Sequence, residues 1–382
     1  MGYVLRSLKC LAVAAVAVSL WPAVTKAQHY NTTILVANTG TPPTPDTNLQ
    51  NPWGLVAGPN TPWWVADNAD GLSTLYAISG TGTSLTASII PINKPADSVT
   101  VLPAPSTQPP VGSPSGIMFN GSSADFLLPS GSPAAFLFVT EDGTIQGWAG
   151  GAASTIVVDH SKVPNEANGA VYKGATIADI DGRLFILVAN FRSGKIEKYD
   201  SSFNQVHVSE EAFDDDALPP GYAPFNIQGV GPNLYVTYAK QANQNHDPAD
   251  PGRPGDGFVD VFDGHGRLLQ RLEHGPWFNA PWGVVWAAPP FGAFGNTILV
   301  GNFRADNISA FNPVSGKFLG NMLNPDGTTL LIDGLWALRF GNDGAAGPAT
   351  TLFFTAGPDQ ETNGLFGTLT PITLERNLAT QQ

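Results

Sequence analysis

The sequence predicts an all-β fold, and three observations support this prediction. The 382 residues include 42 glycines and 33 prolines, which recur along the whole chain and bound short apolar runs, as in antiparallel hairpins. After residue 27, no long segment shows an apolar period of 3.6 residues, so long amphipathic helices are not expected. The same pattern of strands and turns also recurs at intervals of about 50 to 60 residues, which is typical of a repeat architecture.

The clearest copy of this repeat covers residues 279–320. It predicts four short strands separated by Pro/Gly or polar turns, at residues 284–287, 297–301, 308–311 and 317–319. A four-stranded meander of about 45 residues has the size of one propeller blade. The remaining units are interpreted as divergent copies of this one.

The first 27 residues have the pattern of a secretory signal peptide. Arg6 and Lys9 precede an apolar run at residues 10–21, and small residues at 25–27 offer a cleavage position. The run is shorter than the 20 or so apolar residues that a membrane span needs. We expect cleavage near Ala27, release into the periplasm or medium, and no membrane anchor.

Cysteine usage and charge exclude several classes of function. Cys10 is the only cysteine and would leave with the signal peptide, so cysteine catalysis and disulfides are not expected. The formal net charge of −13 repels phosphate backbones, which argues against a nucleic-acid partner. Such a surface attracts divalent cations or basic ligands. The alternative, a solvated acidic coat, is the favoured interpretation.

Two anchors recur six times in fixed order. The first is a turn and a small residue before an apolar run, at residues 51–55, 113–117, 171–175, 223–227, 280–284 and 331–335. The second is an apolar strand, at residues 64–68, 138–142, 187–190, 235–238, 299–302 and 353–356. In this alignment Asn226 takes the place that glycine has in the other five units, the last being Gly334. The pattern predicts a single six-bladed β-propeller with four-stranded antiparallel blades over residues 28–382.

The two ends of the chain predict how the ring closes. The last unit ends near residues 364–369 with little chain left for a fourth strand, whereas residues 33–37 form an apolar strand before the first anchor. We expect this N-terminal strand to complete the last blade, because closure pairs strand edges that would otherwise be open. A parallel β-solenoid, the alternative, expects much shorter repeats.

The anchors resemble those of a known family. NPWG, WVADN, TEDG, APFNIQ, YVTYAKQ, GFVDVFD, APWG, DGLWAL and LFFTAGP are similar to motifs of uncharacterised secreted bacterial proteins thought to be six-bladed propellers. The resemblance covers nearly all of residues 28–382. It implies export and the propeller fold, and it implies no reaction. The sorting tail of some members has no counterpart after Arg376, which suggests free release.

A more distant similarity is to NHL-repeat and gluconolactonase-type propellers, whose lactonases hold a divalent cation on the axis through a Glu, an Asn and an Asp. Asn226, in Pro-Phe-Asn, matches the turn of the Asn, and Asp333, in Ile-Asp-Gly, resembles the Asp. Residues 49–57 contain no acid to match the Glu. The similarity implies Ca²⁺ or another divalent cation held by Asn226 and Asp333.

Five polar residues are candidates for a ligand or metal site. Asn226 would be an axial ligand or hydrogen-bond donor, or an asparagine that tolerates a left-handed backbone as glycine does. Asp67, Glu141, Asn190 and Asn302 follow second strands, so their oxygens would converge on a hard cation or another ligand. The alternative is local turn chemistry, in which Asp and Asn side chains bond their own backbone.

Three tryptophans stand in or beside first-strand turns. Trp53, Trp282 and Trp336 would form an aromatic floor for a sugar or another flat ligand. The alternative is that they wedge between blades and bury apolar area.

Two insertions interrupt the repeated units. Residues 91–114 and 239–257 are expected to lie on a face of the disc, where loops carry function. The second insertion contains a candidate calcium cluster whose spacing matches no EF-hand loop, namely His246, Asp247, Asp250 and Asp256. No HExxH or G-x-S-x-G motif occurs, so Ser/His/Asp catalysis has no support.

These observations favour a monomeric binding module for a small molecule or an extracellular protein. The alternative is a metal-dependent hydrolase of lactones or esters, in which a cation at Asn226 and Asp333 would polarise the carbonyl and activate water. Scaffolding or adhesion is a third possibility. A fold of this kind does not decide among them.

Overall fold

The computed structural model describes residues 29–82, 84–92, 97–105, 107, 110–242 and 252–372. The predicted signal peptide lies outside the described residues, and so do His246, Asp247 and Asp250 of the predicted calcium cluster. Asp256 is described, and its carboxylate accepts a hydrogen bond from the Tyr222 hydroxyl at 2.9 Å within the fourth blade.

Six sheets form the molecule, and each is one blade; all their strand pairs are antiparallel except the short β1–β2 pair in the last blade. The chain begins with β1 (Tyr30–Ala37) and β2 (Thr44–Pro45), which belong to the last blade. Blade 1 contains β3 (Pro52–Val56), β4 (Trp63–Asp67), β5 (Leu72–Ser79), β6 (Thr86–Ile89) and the short β7 (Ser98–Thr100). Blade 2 contains β8 (Pro114–Phe119), β9 (Phe136–Thr140), β10 (Thr144–Trp148) and β11 (Thr155–Asp159). Blade 3 contains β12 (Tyr172–Ile180), β13 (Arg183–Asn190), β14 (Lys195–Tyr199) and β15 (Gln205–Val206).

The second half repeats the arrangement. Blade 4 contains β16 (Tyr222–Val230), β17 (Asn233–Lys240), β18 (Phe258–Phe262) and β19 (Leu268–Arg271). Blade 5 contains β20 (Pro281–Trp286), β21 (Ile298–Asn302), β22 (Ile308–Phe311) and β23 (Phe318–Asn321). Blade 6 contains β24 (Leu335–Phe340), β25 (Leu352–Ala356) and β26 (Leu365–Pro371), followed in the sheet by β1 and β2. The described helical segments are single turns, Glu166–Asn168, Gly292–Phe294 and Pro358–Glu361, and none could cross a membrane.

The ring closes as the sequence predicts. β1 pairs antiparallel with β26 from Tyr30 opposite Pro371 to Ala37 opposite Leu365. The inner strands β3, β8, β12, β16, β20 and β24 neighbour one another in that order, and β24 neighbours β3 again. The six-bladed β-propeller closed by its N-terminal strand is therefore confirmed.

Every inner strand carries a β-bulge near its start, where the register shifts against the second strand. A bulge places two residues opposite one and redirects a side chain. In chain order the residues at the bulge are Trp53, Ser115, Lys173, Phe225, Trp282 and Trp336. Ring contacts between blades 1, 4, 5 and 6 show that the aromatic members meet across the axis.

The glycines of the first anchor provide space between inner strands. A Cβ on Gly174 would lie 2.0 Å from Asn226 Oδ1, and one on Gly283 would lie 2.5 Å from the Trp336 carbonyl oxygen. Neither glycine has a positive φ. Glycine is therefore required at these two positions by the close approach of the next blade, and not by a left-handed backbone conformation.

The sixth unit corrects the predicted alignment. β24 begins at Leu335, and its pairing with Ala356 places Ala337, not Gly334, at the position of the glycines. Gly334, with φ 67°, instead matches Asn51 and Ala280, which have φ of 44° and 48°. The prediction was three residues off because this unit has a glycine in the turn before its inner strand and an alanine at the position where the other blades have glycine or Asn226.

Candidate functional site at the upper end of the axis

The inner strands all begin at one face of the disc, which we call the upper face, and they end at the lower face. A cavity of about 470 Å³ opens at the upper end of the axis, and we call it the upper cavity. Its walls are Asn51, Trp53, Asn68, Glu141, Lys173, Ala242, Phe303, Arg304, Trp336 and Glu361. Three of the predicted site residues, Trp53, Glu141 and Trp336, are in this set.

Stacked aromatic rings form the floor of the upper cavity. Trp336 lies between Trp53, at a ring-centroid distance of 3.7 Å, and Phe303, at 4.0 Å. Trp282 meets Trp336 edge-on at 5.8 Å, and its indole nitrogen donates to the Lys173 carbonyl oxygen. Both faces of Trp336 are covered, so it offers no open stacking platform. The three predicted tryptophans therefore meet on the axis and close it.

Two other tryptophans, Trp63 and Trp64, pack between neighbouring blades. The Trp64 ring stacks on Phe136 of blade 2 at 4.1 Å, and Trp63 packs on Phe353 of blade 6 at 5.1 Å. These outer tryptophans fill the two interfaces of blade 1.

Lys173 is the one charged residue at a bulge position. Its side chain is 1 % exposed, and its ammonium group pairs with the Glu141 carboxylate, which is 23 % exposed. The same nitrogen lies 5.0 Å from the Trp53 ring centroid and 5.9 Å from that of Phe225. Aromatic faces attract a desolvated cation, so the cage and the carboxylate together hold this buried charge.

A continuous run of hydrogen bonds leads from Glu141 along the cavity wall. Asn68 Nδ2 donates to Glu141 Oε2 at 2.8 Å, and Asn51 Nδ2 lies 3.3 Å from Asn68 Oδ1. Asn51 Nδ2 is also 3.1 Å from Glu361 Oε1, and the Trp336 indole donates to Asn51 Oδ1 at 3.3 Å. The network joins blades 6, 1, 2 and 3, and it fixes the orientation of each polar side chain in the wall.

An unusual turn carries Glu361 to the cavity. Asp359, Gln360 and Glu361 have φ of 56°, 58° and 67°, and a left-handed backbone costs about 1–2 kcal/mol per residue. Asp333 Oδ2 accepts from the Asp359 amide at 2.9 Å, which holds the turn. Burial raises the pKa of the Glu361 carboxyl, the Asn51 hydrogen bond opposes this shift, and the charge of Glu141 adds to it.

Strand register explains why Glu141 alone, of the four residues predicted to follow second strands, reaches the cavity. Asp67, Asn190 and Asn302 each pair with the first residue of their inner strands, whereas in blade 2 that partner is Thr140. Glu141 is therefore one residue further along. A shift of one residue directs a side chain to the opposite side.

The other three residues bond locally, as the turn alternative predicts. Asp67 Oδ2 accepts from the Thr74 amide at 2.8 Å, and burial raises its pKa well above the usual range. Asn190 Nδ2 donates to Glu197 at 2.6 Å, and Asn302 Nδ2 donates to the Asn307 side chain at 2.8 Å. Of the four, only Glu141 therefore lines the upper cavity.

The predicted metal pair is also not brought together. Asn226 lies midway along the axis and lines a small cavity of about 10 Å³. Its Nδ2 donates a hydrogen bond to the Trp282 carbonyl oxygen at 2.8 Å. Its φ is not positive, so the left-handed interpretation is wrong as well. Asp333 lines a separate cavity of about 210 Å³ at the upper face. Within the described residues, no three His, Cys, Asp or Glu side chains form a metal-binding group.

Several residues of the upper cavity were not predicted. Lys173 had a visible signal, because it is the only basic residue directly before the glycine of a predicted first anchor. Asn51 and Asn68 flank predicted strands and carried a weaker signal. Glu361 had none, because it lies in a turn that the repeat does not contain.

Sequence comparisons find viral relatives of this chain. Two uncharacterized proteins of Acanthamoeba polyphaga mimivirus are each 28% identical to this chain, over 342 and 336 residues. The alignments cover 85% of this chain and 76% and 81% of the relatives. No protein-family profile matches the sequence. Because these relatives are viral, the resemblance to a secreted bacterial family stays a prediction.

Solved structures with a similar fold are numerous and distant in sequence. A Bacteroides thetaiotaomicron protein of unknown function gives a TM-score of 0.52 at 10% identity, covering 90% of this chain and 76% of that chain. A gluconolactonase from Xanthomonas campestris gives a TM-score of 0.43 at 13% identity, covering 82% of this chain and 98% of that chain. These likenesses concern the six-bladed propeller fold alone.

Proposed function

We propose that this protein is a binding module that holds a small, uncharged, hydroxyl-rich ligand in the upper cavity. The observation that carries the proposal is the connected polar wall from Lys173 through Glu141, Asn68 and Asn51 to Glu361. Binding sites place a few oriented polar groups in a concave surface. Groups that are already held in position lose little entropy when a ligand binds.

The balance of charge favours an uncharged ligand. Two basic residues, Lys173 and Arg304, face two acidic residues, Glu141 and Glu361, around the cavity. Lys173 and Glu141 neutralise each other, and Arg304 lies over the Phe303 ring at 4.5 Å. A ligand with a full charge would meet no surplus of the opposite sign. Neutral saccharides, which offer many hydroxyl groups, fit both the polarity and the volume.

The test is a binding screen with neutral sugars. Glucose, galactose, maltose and trehalose are titrated into the full chain and followed by saturation-transfer NMR and calorimetry. We expect at least one sugar to bind with a dissociation constant below about 1 mM, and Asn68→Ala to weaken it about tenfold or more, because two wall hydrogen bonds are lost.

Asn204→Ala is the matched control, because Asn204 is exposed and bonds only to Asp200 in its own turn. It should leave the affinity unchanged. The proposal fails if no sugar binds below about 10 mM, or if folded Asn68→Ala binds as the wild type does. Conversion of a bound sugar to a product would replace the binding function by an enzymatic one.

The hydrolase alternative gains no support from the geometry, because Asn226 and Asp333 line different cavities. We also infer export, on the N-terminal sequence pattern alone. The test is N-terminal sequencing of the protein recovered from a native producer. A mature chain that begins near Gln28 supports export, and an intact Met1 or Gly2 start contradicts it.

A further inference from the structure

The lower end of the axis holds a second cavity, of about 430 Å³, which we call the lower cavity. Two residues after the glycine position of each inner strand, which is Asn226 in blade 4 and Ala337 in blade 6, the pairing registers place one equivalent residue at this level. In chain order these residues are Val56, Met118, Thr176, Gln228, Val285 and Arg339. Five of them are uncharged, and Arg339 is the single charged residue among those that line the cavity.

The Arg339 guanidinium is held in a fixed orientation by neutral acceptors. Its Nε donates to the Leu55 carbonyl oxygen of blade 1 at 3.2 Å, and one terminal nitrogen donates to Gln228 Oε1 of blade 4 at 2.5 Å. Gln228 Nε2 bonds the Gly229 carbonyl oxygen, which directs Oε1 toward the guanidinium. Arginine has five N–H donors, and the contacts to described residues occupy two of them.

No carboxylate among the described residues forms an ion pair with Arg339, although eight other basic or histidine pairs with acids occur there. Burial alone lowers the pKa of Arg339, to about 10, so the group is still charged at pH 7. In a chain whose net charge is −13, this is an isolated positive charge inside a cavity. Such a charge attracts an anion more strongly in this setting than in water.

The remaining wall of the lower cavity is mostly apolar. Trp63, Ile117, Phe119, Ile177 and Phe340 contribute large apolar side chains to it. A guanidinium with free, fixed donors matches the two oxygens of a carboxylate. The apolar walls match a hydrocarbon or aromatic body attached to that carboxylate.

We propose that the lower cavity is a second binding site, which takes a small organic monocarboxylate with an apolar body and binds its carboxylate through Arg339. The site is independent of the upper cavity, because the tryptophan floor and the narrow middle of the axis separate the two. The proposal does not rest on the function of the upper cavity.

The test uses benzoate as the probe, with benzamide as its neutral analogue and inorganic phosphate as an anion without an apolar body. Each is titrated into the full chain at pH 7 by calorimetry. We expect benzoate to bind with a dissociation constant below about 1 mM. Benzamide and phosphate should each bind about tenfold more weakly or not at all, because each lacks one of the two matching features.

Arg339→Gln should weaken benzoate binding about tenfold or more. The matched control is Arg267→Gln, which removes an arginine that is 77 % exposed on blade 4 and should leave binding unchanged. Because Arg339 joins three blades and so contributes to folding, Ala57→Phe provides a second test that keeps the arginine. Ala57 lines the cavity, and the added ring should block benzoate without touching the guanidinium.

The proposal is overturned if benzoate does not bind the wild type below about 10 mM, or if benzamide or phosphate binds as tightly as benzoate. It is also overturned if folded Arg339→Gln or folded Ala57→Phe binds benzoate with the affinity of the wild type. Loss in both variants, with Arg267→Gln unchanged, supports the site.

Discussion

The two ends of the propeller axis are built from the same six strands, and they differ in the groups that contact a buried positive charge. At the upper end, the buried Lys173 ammonium meets the Glu141 carboxylate and an aromatic cage. At the lower end, the Arg339 guanidinium meets a carbonyl and an amide oxygen. The position of a residue in the repeated inner strand determines which cavity its side chain faces. The residue type at that position in a single blade determines which kind of ligand the cavity attracts.

The middle of the axis keeps the two ends apart. Trp53, Trp282 and Trp336 pack across it, and the inner strands approach so closely at Gly174 and Gly283 that a Cβ does not fit. The upper and lower cavities are therefore separate and do not form one channel through the described residues. Substitutions at Trp336, Lys173, Gly174 and Glu361 test this comparison.

The largest effect is expected for Trp336→Ala, which removes the central ring of the upper floor. Loss of a buried tryptophan costs about 3–5 kcal/mol of unfolding free energy, because Trp53 and Phe303 lose their stacking partner. Urea denaturation measures the change. Trp286→Ala, at a tryptophan that is 43 % exposed, is the control and should cost less than about 1 kcal/mol. Equal losses of unfolding free energy in the two variants would show that the axial tryptophan contributes no more to stability than an exposed one.

Lys173→Met should cost about 3 kcal/mol, because it leaves the Glu141 carboxylate partly buried and without its counterion. The double variant Lys173→Met/Glu141→Gln should recover most of this loss. Arg339→Met at the other end should cost less, about 1–3 kcal/mol, since it removes hydrogen bonds and leaves no charge unpaired. Urea denaturation of the four variants, with Glu141→Gln included, gives the coupling energy. A coupling near zero contradicts the contrast between the ends.

Gly174→Ala tests the close approach that separates the cavities. The new methyl would lie 2.0 Å from Asn226 Oδ1 and 3.0 Å from its Cα, and such overpacking costs about 1–3 kcal/mol. Gly229→Ala is the matched control, because its only near neighbour is Thr176 Oγ1 at 3.4 Å, and it should change stability by less than about 1 kcal/mol. Thermal unfolding of both variants measures the change in stability. A Gly174→Ala protein as stable as wild type would mean that the inner strands adjust freely.

The smallest effect concerns pH at the upper cavity. Since burial raises the pKa of Glu361 in the folded state, the unfolded chain ionises first as pH rises. This contribution to stability is therefore present below the ordinary carboxyl pKa and lost as pH rises through the folded value. Glu361→Gln stays neutral, so it should match wild type at about pH 3 and become the more stable protein toward neutral pH. Melting temperatures across this range measure the difference. A variant that is less stable at neutral pH would contradict the sign.

Much of the fold was predictable because each blade is made of local hairpins. Strands 308–311 and 297–301 were expected within a residue of β22 and β21, since turn residues mark hairpin ends in the sequence itself. The pairing of β1 with β26 was expected from the missing fourth strand of the last unit.

The candidate site was predictable only in part. Trp53, Trp336 and Glu141 were identified and do line the upper cavity, but Asp67, Asn190 and Asn302 bond locally. A one-residue difference in where β9 ends separates Glu141 from these three, and no turn signal in the sequence reports that difference. Glu361 reaches the cavity from a left-handed turn that lies outside the repeat.

The number of blades, their order and the closure of the ring can be read from the amino-acid sequence, because periodic turns and apolar runs act over short distances along the chain. Which side chains meet on the axis is visible only in the folded protein. Lys173, Glu141, Asn51 and Glu361 come from four blades, and their contact depends on bulges and registers that add up around the whole ring. The same is true of Arg339, whose charge is notable only because no acid among the described residues pairs with it there.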